Sequence, residues 1–337
     1  LGDLYLQDNA PTLALPELQT AVELSPEGLQ ILVRYGQALK LIGNIDESRE
    51  VFSKAYHLEP NFPGLAQMYA RILIDIGELE GAISPLEMLI NLKSSQDLTV
   101  YLDYARCVLS LNKLGSTKVP PMKALIALNE VLQIDPDIAE AKALIAETLA
   151  ANGDKEMAFQ AYREALDTSL IDDKNWLESL SYGFGCVASS IGKHDIAIAA
   201  LQEAGQVNPS NPDIFKALSS AYLAANLPED AIRSARNVLV INGDDPDNLA
   251  WFATQVTNLI RNDKPDFTSS PSAISKTISS EALNALAKAI QLAPTRTDLL
   301  VQLGNFQFSI GALTEAQETF ASIASFDFAT IDDLKTA

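Results

Sequence analysis

Apolar and small positions recur along this chain at helical spacing, and the whole arrangement repeats about every thirty-four residues. Tyr35, Gly36, Leu39, Gly43, Ser48, Phe52, Ala55 and Pro60 are separated by 1, 3, 4, 5, 4, 3 and 5 positions. Phe184, Gly185, Ala188, Gly192, Ala197, Leu201, Ala204 and Pro209 follow the same intervals. Each unit reads as two helices. The first, helix A, carries a large residue followed by a small one. Gly36, Ala70, Ala105, Ala146, Gly185, Ser219, Ala253 and Gly304 occupy the small position and allow close helix approach, and Leu39, Leu73, Leu149 and Tyr222 fill the space beside it. Gly43, Gly77, Gly153, Gly192 and Gly311 supply the left-handed residue that ends helix A. Acids open helix B, as with Asp46 and Glu47, Glu78 and Glu80, and Asp154 and Glu156, where they complement its positive end. Pro60, Pro136, Pro209 and Pro294 then close the unit. Sustained alternation of β-branched and aromatic residues is absent, so no strands are expected.

The period divides the chain into a partial unit at 1–28 and further units at 29–62, 63–96, 98–138, 139–172, 178–211, 212–245, 246–296 and 297–330, with a tail at 331–337 that begins a further helix or a cap. Two units break the period. Val108 and Ala124 are 16 positions apart where Leu39 and Ser48 are 9 apart, and Val256 and Ala282 are 26 apart. Both insertions fall between helix A and helix B. The first runs through Lys113, Gly115, Lys118, Pro120 and Pro121; the second is rich in Pro, Ser and Lys and predicts a mobile loop or disorder near 263–275. They read either as tolerated surface growth or as added partner contacts along one edge.

The pattern resembles the tetratricopeptide repeat, recurring about nine times over nearly the whole chain. The resemblance implies an all-α fold: a right-handed superhelical solenoid of stacked antiparallel helix pairs, formed as a single array over 1–330. Each unit has an apolar face that it cannot bury alone, so stacking is obligatory.

Composition adds limits. The chain has 337 residues, 47% of them hydrophobic, and a net charge of −20. Such acidity disfavours nucleic acid and anionic lipid as partners. No run of eighteen apolar residues is present to span a membrane. Cys107 and Cys186 give neither a disulfide framework nor metal spacing, and they leave the compartment open. Leu1-Gly2 match Tyr35-Gly36 inside a helix A, so the chain reads as a piece of a longer protein.

No pattern of catalytic residues is found. His57 and His194 stand alone near helix ends, without a second His at ligand spacing. Gly183-Phe184-Gly185 lacks the third glycine and preceding strand of a phosphate loop. Gly243-Asp244-Asp245-Pro246-Asp247-Asn248 lacks the alternating acids of a calcium loop and reads as a turn with a helix cap. Trp176 and Trp251 read as packing residues. We expect no enzyme activity, no cofactor and no metal.

The resemblance implies a concave surface lined mainly by helix A, where extended or helical peptides bind. Equivalent inward positions of three successive units hold Gln37, Arg71 and Arg106, with Arg34 and Lys40 nearby. These residues predict a basic groove for an acidic peptide, or else they pair internally with acids such as Asp75 and Asp103. A weaker second lining contains Tyr182, Lys216, Ser220 and Asn305, beside Cys186, Thr254 and Phe308. The Lys and Asn clamp with which some family members hold chaperone C-termini is not matched here. The expected function is a protein–protein interaction scaffold. The alternatives are a regulatory or substrate-recruiting module of a larger enzyme or signalling protein, and a peptide-sensing conformational switch. Oligomeric state and localisation stay open.

Overall fold

The computed structural model describes residues 1–62, 64–92, 97–116, 118–167, 174–263 and 273–324. Among them the chain forms 18 α-helices and no strand. It separates into two compact units, Leu1–Leu170 and Ile171–Ala337.

In the first unit the helices are α1 (Gly2–Gln7), α2 (Pro11–Leu24), α3 (Leu29–Leu41), α4 (Ile45–Leu58), α5 (Leu65–Asp75), α6 (Leu79–Asn91), α7 (Leu98–Lys113), α8 (Pro121–Ile134), α9 (Ala139–Asn152) and α10 (Lys155–Asp167). Each packs on the next in sequence, and α7 also touches α9. The odd-numbered helices are the A helices and the even-numbered ones the B helices. The second unit repeats the scheme with α11 (Lys174–Ser190), α12 (His194–Val207), α13 (Pro212–Ala224), α14 (Pro228–Asn242), α15 (Pro246–Asp263), α16 (Ala273–Leu292), α17 (Thr297–Ser309) and α18 (Leu313–Ala324). Here α11 touches α13 and α15 touches α17.

The small position of helix A sets the approach of the two helices in a pair. A Cβ added at Gly36 would lie 2.8 Å from the Phe52 ring, and one at Gly304 would lie 2.5 Å from the Phe320 ring. Phe52 can therefore lie flat on bare backbone, and it is 1% exposed. In the first unit Leu73, Leu86, Tyr104, Leu128 and Leu144 join α5 to α9 in one apolar cluster. Leu32, Phe52, Leu65 and Ile72 form another. In the second unit Phe252, Leu286, Leu299 and Phe306 do the same. Each such buried side chain stabilises the fold by roughly 1.5–3 kcal/mol.

Helix A ends on a left-handed residue in every unit where the turn is short. Gly153, for example, has φ of 90°. Asn9 and Asn226 stand at the equivalent register with φ of 54° and 58°. Asn is the side chain that tolerates this conformation best after Gly, so the turn survives where the glycine is missing.

The insertions are shared between helix and turn. α7 has 16 residues against 13 for α3, so three of the seven extra residues lengthen the helix and the other four widen the turn that follows. α15 and α16 reach 18 and 20 residues. Of the segment expected as a loop near 263–275, Asp263 and 273–275 are helical, and 264–272 lies outside the described residues. The tail at 331–337 also lies outside them. Trp176 belongs to α11, which starts before the repeat boundary drawn at 178.

Two buried serines make opposite contributions. Ser48 Oγ donates to the Gly36 carbonyl at 2.7 Å, tying α4 to α3. Ser219 Oγ sits at the small position of α13, fully buried and without a hydrogen-bond partner. The same substitution is expected to act with opposite sign: Ser48→Ala lowers stability by about 1 kcal/mol and Ser219→Ala raises it by about 1 kcal/mol in denaturant titrations.

Candidate functional site

On the helix-A layer of the first unit, charged side chains reach from one helix pair to the next. Arg34 Nε meets Asp3 Oδ1 at 3.2 Å, and Arg34 Nη1 donates to Gln37 Oε1 at 3.0 Å. Gln37 Nε2 contacts the Met68 sulfur at 3.1 Å. Lys40 pairs with Asp75 at 2.8 Å. Arg71 Nε faces Asp103 Oδ2 at 3.8 Å while its Nη2 donates to Thr99 Oγ1 at 3.3 Å. Arg106 Nη1 pairs with the other Asp103 oxygen at 3.0 Å, and its Nη2 bonds Glu140. Lys113 continues the series to Glu147 at 3.4 Å. The arginines and Lys40 are about half exposed, so each pair contributes only about 0–1 kcal/mol.

Beneath the start of this ladder lies a cavity of 460 Å³. Leu6, Leu41, Phe52, Met68 and Ile72 give it apolar walls, and Asp3, Gln7, Arg34, Gln37, Lys40 and Arg71 its polar rim. Four of the five residues expected in the first groove thus surround one space. Arg106 is not part of its lining; it holds α7 to α9 through Glu140. Internal pairing with Asp75 and Asp103, the other outcome foreseen for these cations, occurs as well.

In the second unit, Tyr182 lies on α11 next to Cys186, whose thiol is hydrogen-bonded to it and pushed up by burial. Lys216 pairs with Asp213 at 3.3 Å, and Ser220 Oγ donates to the Lys216 carbonyl at 3.0 Å, both on α13. Asn305 is exposed on α17. These side chains are held mainly by local partners. Cys107 is buried, and burial together with the nearby Asp103 carboxylate raises its thiol to about 12. Among the described residues no group of three or more His, Cys, Asp or Glu is placed to hold a metal, and no helix is long and apolar enough to cross a membrane.

The apolar part of the cavity lining escaped the sequence reading because Leu6, Leu41 and Met68 sit at positions the period does not mark. The ladder did leave a signal. Arg106 and Glu140, and likewise Lys113 and Glu147, are 34 residues apart, one period.

The architecture is that of a helix-pair repeat protein. Models described as tetratricopeptide repeat match residues 1–66, 139–169 and 182–248. The "TPR repeat-containing protein YpiA" of Bacillus subtilis is 26% identical over 223 residues, covering 58% of this chain and 51% of the relative. "Anaphase-promoting complex subunit 3" of Schizosaccharomyces pombe is 23% identical over 192 residues, covering 57% and 27%. The chain thus spans about half the length of the first relative and about a quarter of the second. The crystal structure of a tetratricopeptide repeat protein from Parabacteroides merdae aligns with a TM-score of 0.55 at 13% identity, covering 83% of this chain and 98% of that one, which supports the fold. The chain thus carries tetratricopeptide repeats over the stretches that the models match, and such repeats support a protein–protein interaction scaffold.

A second charged group ties the B helices of the first unit. Glu87 on α6 accepts from Tyr104 on α7 at 2.9 Å and from Lys123 on α8 at 2.9 Å. The Lys123 hydrogen bond holds the Glu87 carboxyl below its ordinary range, aided by Tyr104 and opposed by burial. A carboxyl depressed in the folded state adds stability above its unfolded pKa and loses it as pH falls through the folded value. Glu87→Gln is therefore expected to lower the Tm near neutral pH, with the difference from the native protein shrinking as the medium is acidified through the carboxylate range, as followed by circular dichroism.

Proposed function

We infer that this protein acts without chemistry of its own, by holding a segment of a partner protein against the helix-A layer of its first unit. The observation that carries the reading is the cavity bounded by α1, α3, α4 and α5. Its size is within the range of ligand sites, about 300–1,000 Å³. Its apolar walls accept a side chain such as leucine. Its rim cations Arg34, Lys40 and Arg71 accept carboxylates flanking that anchor, with Gln37 available to the peptide backbone. An acidic partner segment with one apolar anchor suits both features. The same proposal takes 1–330 as a single array of about nine repeats and includes Arg106 and the second lining of Tyr182, Lys216, Ser220 and Asn305 as further contacts.

The name of the fission-yeast relative is that of a subunit of a complex, which supports a protein partner. Because the chain spans only part of its relatives, its partner is a proposal in its own right.

The test is fluorescence anisotropy with a dye-labelled peptide carrying one leucine between glutamates. Arg34→Ala/Arg71→Ala is expected to weaken binding about tenfold, as loss of two charge-assisted contacts of up to about 1 kcal/mol each would. Unchanged affinity would sink the reading.

A further inference from the structure

The two arginines flanking Asp103 differ in what they can still offer. Arg106 is engaged at both terminal nitrogens by different carboxylates, Asp103 at 3.0 Å and Glu140. Arg71 lines the cavity and is held loosely, by Asp103 at 3.8 Å and Thr99 at 3.3 Å. The nitrogens it uses are Nε and Nη2. They form the side-on edge of the guanidinium, one of the edges on which a carboxylate makes two parallel hydrogen bonds. Asp103 therefore occupies with one oxygen a place that a ligand carboxylate would fill with two.

Asp103 is well placed to keep that position. Its side chain is 15% exposed while those of Arg71 and Arg106 are about half exposed, so the acid is fixed and the arginines are the solvated partners. One carboxylate between two guanidinium groups remains charge-compensated by Arg106 when Arg71 turns away. The exchange therefore exposes no unpaired buried charge, which would otherwise oppose it.

We propose that Asp103 is an internal competitor for the cavity: by pairing with Nε on the side-on edge of Arg71, it lowers the affinity of the site for anionic segments and restricts tight binding to ligands whose carboxylate replaces it with better geometry. The role is positioning, since Asp103 does not line the cavity. This inference rests on the peptide-binding reading of the same site, and it assigns selectivity to a residue outside the cavity wall.

The experiment uses the full chain and two dye-labelled peptides, one with a leucine between glutamates and one with the glutamates replaced by glutamine. Asp103→Asn keeps the shape and removes the charge. It is expected to tighten the glutamate peptide about threefold, the scale of an exposed ion pair, and to leave the glutamine peptide unchanged. Asp103→Glu should retain native affinity. In Asp103→Asn/Arg71→Ala the gain should vanish. If the native protein binds the glutamate peptide and Asp103→Asn binds it equally or more weakly while retaining native helicity, the competitor role is overturned and the site reading stands. If neither the native chain nor Asp103→Asn binds either peptide, the site reading falls and takes this inference with it. Should Asp103→Asn lose helicity, Asp103→Ser provides the same comparison, again judged by the difference between the two peptides.

Discussion

The close approach of helix A to helix B within each pair is the constraint on which the rest depends. It is made by a residue without bulk on one helix and a large apolar residue on the other, as with Gly36 under Phe52 and Gly304 under Phe320. Each large side chain gains its burial because the facing backbone is bare. Once the pair is locked, the apolar surfaces left on it are covered by the next pair, and the clusters running from α5 to α9 follow. Electrostatics contributes little to this order. The ion pairs between neighbouring A helices are exposed and individually weak, so they decorate a stack that packing already holds.

That division of labour leaves the charged residues without a packing role. Arg34, Lys40 and Arg71 are not needed to bury anything, and they stand at the rim of a space whose walls come from the packing layer itself. Phe52 serves both purposes: it fills the gap over Gly36 and forms part of the cavity wall. A net charge of −20 makes this cationic rim a local exception in the chain. The acids that face it temper the exception, so that the face is a ladder of alternating charge.

The helix pairs were legible in the sequence because packing at the small position tolerates few residue types, and the tolerated ones recur at a fixed interval. The turn after helix A was legible only in part. Gly43 and Gly77 announce it, whereas Asn9 and Asn226 adopt the same left-handed conformation under a different letter. The insertions were visible as extra length, but the length alone does not say whether helix or loop absorbs it; α15 and α16 took much of it as helix. At the candidate site Arg71 and Arg106 were legible from positions equivalent to that of Gln37, and Arg34 and Lys40 only as neighbours on the same helix A. Pairing with Asp75 and Asp103 was legible as the alternative. The apolar part of the cavity lining was not. Leu6, Leu41 and Met68 converge from three helices, and a one-dimensional period carries no record of which unmarked positions meet across pairs.

The central claim is that a partner segment is held over the α1, α3 and α5 face by an apolar anchor beneath a cationic rim. Methyl-detected NMR of the full chain during titration with the leucine–glutamate peptide addresses it most directly. The account predicts saturable shifts of the Met68, Leu6 and Leu41 methyl groups, with Val240 on α14 unmoved. Shifts confined to the second unit, with the Met68, Leu6 and Leu41 methyl groups unmoved at saturation, would contradict it.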